Sequence, residues 1–150
     1  MKITYYEQKH LKQCATLFTE IYNSEGYNCN FDIKKSMLYL EELSQNSRFI
    51  GFLLLKKEEI IGLAFCHEHT WDQNDELKID EFLIKENYQK KEFGTKLLNF
   101  IEKYAKNNEL AGITLITNTI SLTNFYQKNN FLEHDVTFMY KGLVSSNANN

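Results

Sequence analysis

Proline is absent from this 150-residue chain and cysteine occurs only three times. Arginine appears once, as Arg48. The cysteines, Cys14, Cys29 and Cys66, are odd in number, lack CxxC spacing and fall on separate predicted elements. That argues against a disulfide framework and against a zinc site, so they read as ordinary thiols. No uninterrupted apolar run approaches the roughly 18 residues that a membrane helix needs. The opening Met1-Lys2-Ile3-Thr4-Tyr5-Tyr6 lacks the apolar h-region of a signal peptide, and the expectation is a cytoplasmic protein with no membrane partner. Positive charge is also short: a net charge of -3 disfavours a general nucleic-acid surface, leaving local basic patches for phosphate. The missing proline and scarce arginine, beside abundant Asn, Lys and Ile, point to an AT-rich bacterial genome.

What is present suffices for a folded core. Apolar residues make up 43% of the chain, and the length fits one domain, 1–144, without disulfide or metal staples. The remaining polar stretch, 145–150, is expected to be a disordered tail. Ile3 to Tyr6 reads as a strand. Leu11, Cys14, Ala15, Phe18, Ile21 and Tyr22 then recur at helical spacing. A second helix follows Asp32, with Ile33, Met37 and Leu40 on its core face, and Asn23 to Asn30 forms a loop. Phe49 to Leu55 and Ile60 to Cys66 flank Lys56-Lys57-Glu58-Glu59 as a hairpin.

Leu77 to Ile84 is the next strand, and a helix carries Leu97, Leu98, Ile101, Tyr104 and Ala105 on its apolar face. Ile113 to Thr117 reads as a strand, Ser121 as the cap of a short helix through Asn129, and Val136 to Tyr140 as a final strand. The order β-α-α-β-β-β-α-β-α-β predicts an α/β (α+β) fold. Its sheet is mixed and mostly antiparallel, with helices on both faces.

The stretch Gln89-Lys90-Lys91-Glu92-Phe93-Gly94-Thr95 joins a strand to a helix through a polar, basic turn. Backbone N–H groups at a helix start point outward and carry partial positive charge, so the main-chain amides between Gln89 and Thr95 suit a phosphate. Gly94 permits close approach to the backbone. In this order the segment resembles the Gln/Arg-x-x-Gly-x-Gly/Ala motif of the GNAT N-acetyltransferase superfamily, with Glu92 in place of the first glycine. Phe125-Tyr126-Gln127-Lys128-Asn129-Asn130-Phe131 is similar to that family's Phe-Tyr-x-Lys-x-Gly-Phe, with Asn130 in place of glycine. Asn tolerates the left-handed backbone that a helix C-terminus asks for.

The resemblance implies an acetyl-CoA-dependent N-acetyltransferase with no metal. Its acceptor would be a primary amine of a small molecule or a peptide, attacking the thioester directly. Leu83 and Ile84 would pair with the pantetheine arm, a local bulge would aim a backbone N–H at the thioester oxygen, and the turn from Gln89 to Thr95 would hold the pyrophosphate. Tyr126, also next to the CoA sulfur, is the candidate general acid, against a plain core tyrosine. Glu81 is the candidate base, directly or through a water, against a solvated acidic strand end. Asp80 competes for that role, and strand alternation would let only one of the two look into the cleft. Asn118 would bond the pantetheine or a water, against ordinary turn chemistry.

His67-Glu68-His69 places two imidazoles on one side of a strand without a third ligand, which fits a cleft wall better than a metal site. Glu25, Glu41, Glu42, Glu68, Asp72, Asp75 and Glu76 read first as ordinary surface charge, or else border the acceptor side and attract a cationic amine, with Trp71, Tyr22 and Tyr27 as walls, core or a dimer contact. A homodimer is compatible with the family. The competing reading is an acyl-CoA sensor or interaction module of the same fold without turnover.

Overall fold

The computed structural model describes residues 1–144; the expected tail at 145–150 lies outside them. In chain order come β1 (Lys2–Tyr5), α1 (Leu11–Tyr22), α2 (Ile33–Ser44), β2 (Phe49–Lys56), β3 (Glu59–His69), β4 (Glu76–Ile84), α3 (Phe93–Asn107), β5 (Ile113–Thr114) and α4 (Ile120–Lys128). Short 3-10 turns at Gln8–His10 and Glu86–Tyr88 precede α1 and follow β4. The sheet runs β1-β2-β3-β4-β5, antiparallel throughout except for the parallel β4–β5 pair. The chain divides into two compact units, the first Met1–Thr117 and the second from Asn118. The whole sheet belongs to the first.

Alternation along the strands gives the sheet two apolar faces, and each gains a helical cover. On one side Leu53, Leu63, Phe65 and Leu83 pack with Leu11, Cys14, Ala15, Leu17, Phe18 and Ile21 of α1 and with Leu40 of α2. On the other, Phe52 meets Phe100 and Tyr104 of α3 at ring-centroid distances of 5.9 and 5.3 Å. The α3 stripe of Leu97, Leu98, Ile101 and Ala105 is buried. Asp32 caps α2 by accepting from the Lys35 N–H at 2.7 Å. The loop between α1 and α2 is closed by the Asn23 side chain, which donates to the Phe31 carbonyl at 2.7 Å and accepts from the Phe31 N–H at 2.8 Å.

Three expectations need correction. Val136 to Tyr140 is not a strand: it pairs with nothing among the described residues, and Val136, Phe138, Met139 and Tyr140 are exposed. β-propensity expresses a fit to neighbouring strands, and without a pairing partner it specifies no structure. The strand expected over Ile113 to Thr117 is hydrogen-bonded only at Ile113 and Thr114. The α4 cap is Thr119, whose hydroxyl accepts from the Leu122 N–H at 3.2 Å, with Ser121 already inside the helix. The C-terminus of α4 is as expected: Asn130 has φ 68°, its N–H donates to Gln127 O, and the Phe131 N–H reaches Tyr126 O. This is the Schellman pattern, completed by Tyr126 and Phe131 rings 5.5 Å apart.

Gly51 is fixed by close approach. A Cβ there would stand 2.6 Å from the Tyr6 Cβ and 2.8 Å from the Phe49 ring, where the Tyr6 N–H donates to Gly51 O at 2.9 Å. Overpacking of this kind costs about 1–3 kcal/mol. Gly51→Ala is therefore expected to lower the urea midpoint without changing the slope, and an unchanged midpoint would contradict the packing described.

Candidate active site

β4 carries one residue more than β3 matches. Phe65 pairs with Glu81 and Cys66 with Ile79, which leaves Asp80 as a bulge. A bulge suspends strict alternation and turns a strand, and the expectation that Asp80 and Glu81 oppose each other is corrected here. Glu81 accepts from the Tyr22 hydroxyl at 2.6 Å and the Tyr39 hydroxyl at 2.7 Å, both on the α1/α2 side. Asp80 Oδ2 lies 2.6 Å from Nδ1 of His67, which shares a β3 face with Phe65. Both carboxylates thus meet groups on one side of the sheet.

Glu81 is only 8% exposed. Burial pushes its carboxyl above the usual range, partly opposed by the Tyr22 and Tyr39 hydrogen bonds, while nearby Asp80 adds to the rise. The same contacts raise the phenols: burial first, then the charge of Glu81, holds Tyr22 and Tyr39 well above the ordinary tyrosine value. Tyr27 packs on Tyr22 at 4.9 Å and is raised for the same reasons. The result is a carboxylate roofed by tyrosines. Tyr22 and Tyr27 therefore do wall this region, whereas Glu68 and Asp75 are taken by Arg48 at 3.1 and 2.6 Å. Glu68 also accepts from the Tyr104 hydroxyl of α3 at 2.6 Å.

Past the bulge, β4 runs to Leu83 and Ile84 while β5 pairs only with Leu77 and Lys78. Gln89 closes the strand end: its Nε2 donates to Ile84 O at 2.8 Å, and its own N–H to Glu86 O at 3.1 Å. Of the amides expected to face a phosphate, that of Gln89 is thus turned to protein. Beyond it, Lys90 and Glu92 both adopt left-handed backbone, with φ 57° and 65°, and Lys91 lies between them. Alternating handedness makes successive N–H groups converge on a concave anion seat. Glu92 is the N-cap of α3, yet its side chain makes no capping bond. Phe93, Gly94 and Thr95 form the first turn, where N–H groups lack intrahelical partners. Lys91 Nζ is folded back onto Asn87 O at 2.9 Å.

In the second unit Asn118 is exposed in the segment leading to α4, and Tyr126 is buried within α4 at 7% exposure. Its ring stands 5.1 Å from that of Phe125. Among the cysteines, burial lifts Cys14 to about 12 and Cys66 well above the ordinary thiol value, and Cys29 is exposed. No helix among the described residues is long and apolar enough to cross a membrane.

A sequence model of the acetyltransferase (GNAT) family matches residues 11–131. The chain belongs to the GNAT acetyltransferase family. Among solved structures, a possible acetyltransferase from Clostridium difficile 630 superposes with TM-score 0.81 at 15% identity, covering 95% of this chain and 97% of that one. An aminoglycoside acetyltransferase from an uncultured soil metagenomic sample, in complex with sisomicin, gives TM-score 0.75 at 16% identity over 95% and 96% of the two chains. Aminoglycoside N-acetyltransferase AAC(6')-Iy in complex with CoA gives TM-score 0.75 at 13% identity over 95% of each. At such identities these show a shared GNAT fold. No curated protein matches the sequence.

Sequence reading of this GNAT chain missed Tyr22 and Tyr39 as ligands of Glu81, 59 and 42 residues away, because no local pattern announces such a contact. Because both phenols lower the Glu81 pKa, Tyr39→Phe is expected to move it further up, as read by carboxyl-carbon NMR titration. The sign for stability follows. A carboxyl raised in the folded state contributes stability that is present below its unfolded pKa and lost as pH rises through its folded pKa. Tyr39→Phe extends that loss to higher pH. A Glu81 titration that stays put or moves down would contradict the assigned bonds.

Proposed function

We propose that this protein transfers the acetyl group of acetyl-CoA to a primary amine of a small molecule or peptide, by direct attack on the thioester. The observation that carries the reading is the junction of β4 and α3. There a strand that has left its parallel neighbour ends beside an uncapped helix start, and Gln89 ties the two through Ile84 O. The pyrophosphate would sit on the amides of Lys90, Lys91, Glu92, Phe93, Gly94 and Thr95, with Gln89 bracing the turn. Leu83 and Ile84 would lie along the pantetheine arm. Preorganised N–H donors toward a developing oxyanion are worth on the order of 3 kcal/mol of barrier.

Tyr126 is the proposed acid for the departing thiolate, and Asn118 the amide that bonds the pantetheine or its water. Glu81 supplies negative charge for a cationic acceptor, and its buried, phenol-bonded state suits holding an ammonium. The sisomicin-bound neighbour makes an amino-sugar acceptor one member of the class to be tested. The enzyme would be a bacterial, cytoplasmic acyltransferase needing no metal, compatible with a homodimer.

One observation favours the second reading, a CoA-binding module without turnover: Glu92 brings a carboxylate and a strained left-handed backbone to the phosphate seat. A glycine there removes both the charge and a conformational cost of about 1 kcal/mol. Glu92→Gly is expected to raise the melting temperature and tighten CoA in a thermal-shift titration; weaker CoA binding would place the pyrophosphate elsewhere. Release of CoA across a panel of amines separates the readings. The wild type is expected to turn over at least one amine, and Tyr126→Phe to lower kcat by roughly 10²-fold while CoA affinity holds, the range typical of a lost general acid. Binding without release on any amine would favour the module.

A further inference from the structure

We propose that the proton acceptor for the incoming amine is His67, oriented by Asp80, with Glu81 acting through charge alone; this rests on the acetyl-transfer reading and names its base. The geometry separates the two carboxylates. Both oxygens of Glu81 already accept phenol protons, at 2.6 Å from Tyr22 and 2.7 Å from Tyr39. A carboxylate so engaged has its lone pairs directed to fixed donors and gives up hydrogen bonds in order to take another proton.

His67 is differently placed. The ionised form of Asp80 only accepts, so the 2.6 Å contact assigns the hydrogen to Nδ1 and leaves the Nε2 lone pair on the far side of the ring. Among the described residues Nε2 makes no hydrogen bond. The pair is half-screened from solvent, with side-chain exposures of 22% for His67 and 18% for Asp80. An imidazole whose tautomer is fixed by a carboxylate is an effective acceptor near neutral pH.

The surroundings suit an acceptor amine. Next to His67 on the same strand face is His69, at 6.0 Å between ring centroids, and His69 lines an open groove of about 320 Å³ with Trp71, Glu76, Lys78 and Thr114. Trp71 is 65% exposed and 6.2 Å from His69. The titratable and charged groups around the pair are Glu81 and Lys78 from β4, Cys66 and His69 from β3, and Tyr39 from α2. His67 pairs with Lys78, so alternation sets Asp80, two residues on, on the His67 side, and the bulge brings Glu81 to that side as well. An imidazole–carboxylate pair therefore stands one strand step from the phenol-bonded carboxylate and beside the groove.

The step balances as follows. The ammonium of the acceptor gives one proton to Nε2 of His67. The freed lone pair forms the C–N bond at the thioester carbonyl, and the C–S bond breaks as the tetrahedral intermediate collapses. The nitrogen loses a second proton, the thiolate takes one up, and His67 returns its proton to solvent, so one proton is released overall.

The test is the pH dependence of kcat/KM, with the amine that the wild type turns over fastest among a polyamine, an amino sugar and a peptide amine. His67→Gln is expected to lower kcat about 10²-fold or more, with CoA affinity and melting temperature near wild type, and to erase the limb that rises with pH. Asp80→Asn should cut the rate less and displace that limb. Imidazole in the buffer should restore part of the rate of His67→Ala, which a merely structural histidine would not allow. A His67→Gln enzyme that keeps its rate and its rising limb, or a limb lost only in Glu81→Gln, would overturn the proposal while leaving acetyl transfer standing. A wild type that binds CoA but acetylates none of the amines would overturn both.

Discussion

One unmatched residue in the sheet governs the functional half of this molecule. Asp80 has no partner on β3, so β4 changes phase between Ile79 and Glu81. Two things follow on either side of that point. Asp80 and Glu81 both meet groups on the α1/α2 side, where alternation alone would have separated them. Pairing with β5 stops two residues earlier, at Lys78, so the strand continues toward Ile84 without its parallel neighbour. A bulge is the means by which a sheet both re-aims side chains and ends pairing. Without it, alternation from Lys78 would keep Asp80 on the His67 side and turn Glu81 to the α3 side, away from Tyr22 and Tyr39.

The chemistry on the α1/α2 side is arranged around the cost of burying charge. A carboxylate at 8% exposure is tolerable only when its oxygens are satisfied, and α1 and α2 each supply one phenol. Phe18 anchors that roof: its ring stacks on Tyr22 at 4.2 Å and lies 5.4 Å from Tyr39. The apolar core and the polar site are therefore one construction, since packing of the α1 stripe fixes the donors of Glu81. On the α3 side the arrangement is the reverse. The helix start after Glu92 has no side-chain cap, and Lys90 and Glu92 before it hold left-handed backbone.

Periodicity made the helices and the three long strands legible, because burial enforces a period of 3.6 or 2 wherever one face meets a core. The turn from Gln89 to Thr95 was legible as a motif, and Asn130 as a left-handed C-terminus. Contacts across the sheet were not. Tyr22 and Tyr39 reach Glu81 from elements far away in sequence, and the place of Glu81 on their side depends on a phase shift that no local pattern encodes. The final strand failed for the opposite reason: Val136 to Tyr140 has the right residues, but pairing is a property of two segments. The contacts of Gln89 were equally illegible: its side chain donates to Ile84 O and its N–H to Glu86 O.

In the proposed function, the coenzyme's diphosphate rests on the main chain at the start of α3. The most direct measurement is an amide NMR titration of the labelled protein with CoA. The account predicts large, saturable shifts of the Lys90, Lys91, Glu92, Phe93, Gly94 and Thr95 amides together with those along the end of β4. Saturable binding that leaves these amides unmoved, or that perturbs only the groove near Trp71, would contradict it.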